Sequence, residues 1–125
     1  MAHVIPPAGN AGRVLLADDE ELVRATISLI LKAQGYQVIE ARDGQEAVEK
    51  YLREPDAYDV VLLDLDMPRL TGAEASQKIT GLNSKAKIIL LSGGVTPPPC
   101  GTSYLQKPFH NQELVRMVGE MAGQI

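Results

Sequence analysis

Short apolar runs alternate along this chain with longer segments of helical period. RVLLA (13–17) reads as a buried strand, and EELVRATISLILKAQ (20–34) spaces Val23, Ile27, Ile30 and Leu31 along one helical face before Gly35 ends it. YQVIEA (36–41) alternates as a strand, and DGQEAVEKYLR (43–53) opens a second helix with Asp43 and Glu46 at capping-box spacing. YDVVLLD (58–64) is the most apolar strand, and Thr71 with Glu74 repeats the capping signature ahead of Ala75, Ile79 and Leu82. AKIILLS (86–92) and SYLQ (103–106) read as two further strands, and Leu114, Met117, Val118 and Met121 mark a final amphipathic helix.

Strands separated by helices imply parallel βαβ units, and strands this uniformly aliphatic are covered on both faces. The predicted class is therefore α/β, doubly wound around a five-stranded parallel sheet. The 125 residues and 13.5 kDa fit one domain, expected over 13–123 behind a flexible Pro/Gly leader or linker, 1–12. At 45% apolar and 22% charged the chain is ordinary globular material. A net charge of −4 with no basic run disfavours nucleic acid or an anionic membrane as partner. Cys100 is the single cysteine, so no internal disulfide forms and a reducing cytoplasm is the expected compartment. No stretch reaches the roughly 18 apolar residues of a membrane helix.

In a sheet of this kind ligands bind outside the carboxyl ends of the strands, where strand order reverses. Strand one ends on Asp18 and Asp19, strand three on Asp64, strand four on Ser92, and strand five runs into Lys107 and Pro108. Taken singly each has an ordinary structural use: a helix cap, a turn acid, a loop hydroxyl, a solvated lysine. Taken together they meet on one rim, where converging carboxylates repel and call for a cation. Oxygen ligands without His or Cys select Mg²⁺ or Mn²⁺ over zinc.

VLLADDE, VVLLDLDMPRLTG, ILLSG and YLQKPF, in this order, resemble the receiver domains of two-component response regulators, such as the chemotaxis response regulator, over about residues 13 to 123. The resemblance implies a flavodoxin-like fold with strand order 2-1-3-4-5. It makes Asp64 the phosphoacceptor and Asp18 and Asp19 the acidic pair holding Mg²⁺, with the Asp66 backbone carbonyl completing the metal shell. Ser92 becomes the switch hydroxyl, Tyr104 the switch aromatic, and Lys107 the family's lysine, often before a cis proline. The chemistry agrees, because a carboxylate attacks phosphorus once a metal and a cation neutralise the transferring oxygens. In this scheme Asp19 binds the metal directly, Asp18 helps through water, and Lys107 and Ser92 take phosphoryl oxygens. The Asp66 side chain either orients or repels the hydrolytic water, or is a solvated turn acid.

The expected function is thus a phosphoacceptor switch in phosphorelay signalling, not an enzyme in the usual sense, with a histidine kinase or phosphotransfer domain as donor. An alternative makes the chain the receiver of a hybrid sensor histidine kinase. A remote alternative is a haloacid-dehalogenase-like phosphohydrolase, which shares an acidic D-x-D after an apolar strand but usually carries it on the first strand. The chain departs from the receiver pattern between strands four and five, where GGVTPPPCGTS (93–103) replaces a helix. Each proline lacks an amide donor and drives its predecessor from helical geometry, so that helix is predicted absent or cut to one turn. Part of the sheet is then expected to lie bare, for a neighbouring domain or the second subunit of a homodimer to cover.

Overall fold

A computed structural model describes residues 11–94 and 96–123. The elements run β1 (Gly12–Ala17), α1 (Glu21–Ala33), β2 (Tyr36–Ala41), α2 (Gly44–Arg53), β3 (Val60–Asp64), α3 (Gly72–Leu82), β4 (Ile88–Ser92), β5 (Ser103–Gln106) and α4 (Asn111–Ala122). The five strands form one sheet in the order β2-β1-β3-β4-β5, every neighbouring pair parallel. This is the doubly wound, flavodoxin-like arrangement.

Successive residues of the central strands serve opposite faces, which is why these strands are aliphatic throughout. Val14, Leu16, Leu62, Ile89, Leu91 and Leu105 pack with Ile27 and Leu31 of α1 and Leu114 and Val118 of α4. Leu15, Ala17, Val61, Leu63 and Leu90 pack with Ala47 and Tyr51 of α2 and Ala75 and Ile79 of α3. Leu15, Leu16, Leu62 and Leu63 are all fully buried, each contributing about 2 kcal/mol from burial alone.

Both capping signatures form. The Asp43 carboxylate accepts the Glu46 amide at 2.8 Å, and Thr71 and Glu74 bond reciprocally at 3.1 and 3.0 Å. Helix α4 is capped at its start by His110, whose amide donates to the Glu113 carboxylate at 3.1 Å, and at its end by Gly123 with φ 77°.

Some boundaries move from the sequence reading. β1 begins at Gly12, paired with Tyr36, and Ala11 is buried in the core, so the last two residues of the expected leader belong to the fold; residues 1–10 lie outside the described part. β3 starts at Val60 because Tyr58 stacks on Tyr51 at 5.8 Å and Asp59 accepts the Arg13 amide at 2.8 Å. β4 starts at Ile88, since the Ala86 amide closes a turn on the Asn83 carbonyl at 3.0 Å.

Between β4 and β5 no helix forms among the described residues; a turn closes instead, with the Thr102 hydroxyl donating to the Pro99 carbonyl at 2.7 Å. The expected bare apolar face does not follow. Leu90 on that face is 1% exposed, packed with Ile79, Ala86 and Ile88, and β5 presents there only Tyr104 and Gln106. The lost helix left a polar edge with one large apolar side chain, Tyr104 at 47% exposure.

Candidate functional site

Parallel strands deliver their last residues to one rim. Asp18 follows β1, Asp64 ends β3, Ser92 ends β4, and Lys107 follows β5. Asp18, Asp64 and Ser92 are all buried, so the rim is a pocket floor and not a solvated edge.

Asp18 is held from several sides. One carboxylate oxygen accepts the Glu20 amide at 2.9 Å, the other accepts the Lys107 ammonium at 2.9 Å, and its carbonyl accepts Arg24 Nη1 at 2.8 Å. Arg24, itself buried, continues to the Glu40 carboxylate at 3.0 Å. The Lys107 backbone is fixed as well, its amide donating to the Ser92 carbonyl at 2.7 Å across the end of the sheet. The Lys107–Pro108 peptide bond is cis.

Lys107 Nζ lies 3.6 Å from Asp64 Oδ1 and 3.9 Å from Glu20 Oε1. Burial works against its charge, but the hydrogen bond to Asp18 and the charges of Asp18, Asp64 and Glu20 outweigh burial and raise its pKa. Asp64 shifts much further. Burial first, then the charge of Asp18, push its pKa up to about 7 against the pull of Lys107. One lysine therefore leaves this pocket with excess negative charge, a setting that suits a divalent cation.

Asp18, Glu20 and Asp64 can place carboxylate oxygens within 4.8 Å of one another, a spacing and a donor set that fit a hard divalent ion. Asp19, expected as the direct ligand, is exposed and stands outside this trio, acting on Asp64 through its charge. Glu20 and Arg24 are the site residues that sequence reasoning missed. Helical period absorbs Glu20 into the start of the first helix, and Arg24 lies one position after Val23 in that helix, where a buried arginine looks like a solvated one. The Asp66 amide points at Asp64 Oδ1 over 3.4 Å, and its carboxylate accepts the Thr96 hydroxyl at 2.5 Å, so this side chain is engaged by the loop after β4. Tyr104 points outward from β5.

Two glycines admit close backbone approach beside the pocket. A Cβ on Gly72 would meet the Asp64 carbonyl oxygen at 2.4 Å, and one on Gly44 would meet the Leu70 carbonyl oxygen at 2.3 Å. Neither position has room for any other residue.

Comparison with known proteins follows the same lines. The sequence profile of the response regulator receiver domain matches residues 14–119. A gliding motility regulatory protein of Myxococcus xanthus is 39% identical over 93 residues, which are 73% of this chain and 12% of that protein. The chemotaxis protein CheY of Treponema pallidum is 38% identical over 87 residues, 69% of this chain and 60% of that protein. The chain thus spans less than two thirds of either relative. The receiver domain of a sensor histidine kinase from Pseudomonas aeruginosa PAO1, solved with a magnesium ion in its active-site cleft, superposes with a TM-score of 0.81 at 30% identity, covering 90% of this chain and 98% of that one. With the acidic pocket at the strand ends and a match over most of its length, this chain belongs to the response regulator receiver domain family of two-component signalling.

Proposed function

We propose that Asp64 accepts a phosphoryl group from the phosphohistidine of a kinase or phosphotransfer partner, with Mg²⁺ held beside it, and that the phosphorylated state signals by repacking around Ser92 and Tyr104. The observation that carries this reading is the buried Asp64 carboxylate at the end of β3, 3.6 Å from Lys107 and within reach of Asp18.

The step balances simply. A carboxylate oxygen of Asp64 bonds to phosphorus, the phosphorus–nitrogen bond to the donor imidazole breaks, and the imidazole keeps the electron pair and takes a proton. Mg²⁺ supplies charge neutralisation for the transferring oxygens. Asp18 and Asp19 would hold it with Asp64 and the Asp66 backbone carbonyl, and Glu20 extends the acidic set. Lys107 releases Asp64 to pair with a phosphoryl oxygen, and the Ser92 hydroxyl takes another. A groove lined by Leu22, Val23, Ile30, Pro108 and Phe109 opens beside Lys107. Continuity with the lysine makes it the surface a donor covers while its imidazole reaches Asp64. We place the protein in a reducing cytoplasm; among the described residues no helix is long and apolar enough to cross a membrane.

Intact-mass measurement after incubation with acetyl phosphate and Mg²⁺ tests the assignment. The natural chain gains one phosphoryl group and Asp64→Asn gains none, because the amide keeps the shape but loses the nucleophilic charge. Equal gain in both moves the phosphoacceptor elsewhere.

A further inference from the structure

The loop that carries Asp66 from Asp64 to α3 turns back on itself at Arg69. The Leu70 amide donates to the Pro68 carbonyl at 2.8 Å, a γ-turn whose central residue, Arg69, has φ 69°. A positive φ at a residue with a long side chain is disfavoured and persists only where the surroundings hold it. Here the holder is identifiable. The Arg69 guanidinium sets two nitrogens on Asp43 Oδ2, Nε at 3.1 Å and Nη2 closer still.

Asp43 is an unusual place to land. It is 5% exposed and already caps α2 through the Glu46 amide. Burial opposes its charge, yet the Glu46 amide and the Arg69 guanidinium together lower its pKa. The next residue, Gly44, brings the α2 backbone against the Leu70 carbonyl, leaving no room for a Cβ. Ionic and steric contacts from the β2–α2 connection therefore converge on the same three-residue turn. At its far end the loop is closed by the Gly72 amide on the Leu65 carbonyl at 3.1 Å. Asp66 lies between the two fixed points.

We infer that Arg69 and Asp43 form a brace that positions the Asp66 carbonyl for the divalent ion, making both of them positioning residues for metal binding and hence for phosphoryl transfer. The inference rests on the metal site proposed above. Neither side chain touches the ion. Their action passes through the loop backbone, as outer partners of a metal ligand do. The strand that leads into this connection, β2, also supports the other wall of the site, since its Glu40 receives Arg24, the residue that grips the Asp18 carbonyl.

Asparagine separates the brace from simple folding effects at both positions. Arg69→Asn tolerates positive φ but has no guanidinium, and Asp43→Asn still caps a helix but carries no charge. Melting is followed by circular dichroism without a phosphodonor, with and without Mg²⁺ across a concentration series. Each single variant is expected to melt near the natural chain in chelator and to need about tenfold more Mg²⁺ for half of the stabilising shift. The double variant needs about the same tenfold, because the two changes remove one interaction. Arg69→Lys, which keeps a charge without the planar fork, falls between. Single variants with the natural Mg²⁺ response overturn the brace, as does a double variant whose losses multiply. A natural chain indifferent to Mg²⁺ overturns the metal site itself and the brace with it.

Discussion

In the proposed transfer Asp64 must be anionic, yet the fold buries it beside Asp18. Its pKa of about 7 against an ordinary 3.8 means that the folded protein binds a proton that the unfolded chain has released. Stability therefore falls as pH rises from about 4 to about 7, and the protonated-state advantage is gone above the folded value. The shift of about three units corresponds to at most about 4 kcal/mol. Asp64→Asn, which cannot ionise, should melt above the natural chain at pH 8 in chelator, the gap closing toward pH 5. A gap independent of pH would show that Asp64 is not the titrating carboxylate. Mg²⁺ relieves the same repulsion, so saturation to ten times the dissociation constant should add about 1.4 kcal/mol, with Asp19→Asn blunting the response. A melting temperature that ignores Mg²⁺ counts against the metal. Asp18, Asp64, Ser92 and Lys107 were legible as strand ends, because a parallel sheet places such residues by topology alone. Which exposed acid after Asp18 brings an oxygen near Asp64 was not, since Asp19 and Glu20 differ by a turn angle that no periodicity encodes.

At the scale of elements, capping was readable because Asp43–Glu46 and Thr71–Glu74 are local patterns whose bonds need no tertiary help. Thr71→Ala should cost about 1 kcal/mol in urea denaturation, the usual loss of a helix cap. Gly72→Ala is a different matter: the added methyl meets the backbone oxygen of Asp64, so the proposed phosphoacceptor moves as well. We expect that variant to lose acetyl phosphate labelling before it loses its fold, with far-ultraviolet circular dichroism retained. Normal labelling would show that α3 can retreat without disturbing Asp64. The prolines at 97–99 announced the missing helix for the same local reason, a constraint within each residue. How the sheet copes with that loss was hidden, because it depends on Leu90 finding Ile79 and on β5 aiming Tyr104 and Gln106 at the gap.

For the whole molecule, one sheet divides the apolar interior into two layers, each closed by two helices. Strand composition revealed this, but β1 gained Gly12 and the core gained Ala11 only through pairing with β2. Leu16 is fully buried between β1, α1 and α4, and Leu16→Ala should destabilise by about 2–5 kcal/mol. Domains of this size hold about 5–15 kcal/mol in total, so that single change takes a large share. A urea midpoint near that of the natural chain would mean the layer collapses around the loss.

The ion pair between Lys107 and Asp18 joins residues 89 positions apart. No shorter stretch of this polypeptide contains both, so the charge balance around Asp64 arises only after the fifth strand is in place. A chain emerging from the ribosome is consequently unable to take up phosphate in the proposed way until nearly all of the domain has been synthesised. In the proposed scheme, competence to accept phosphate and completed folding become the same event.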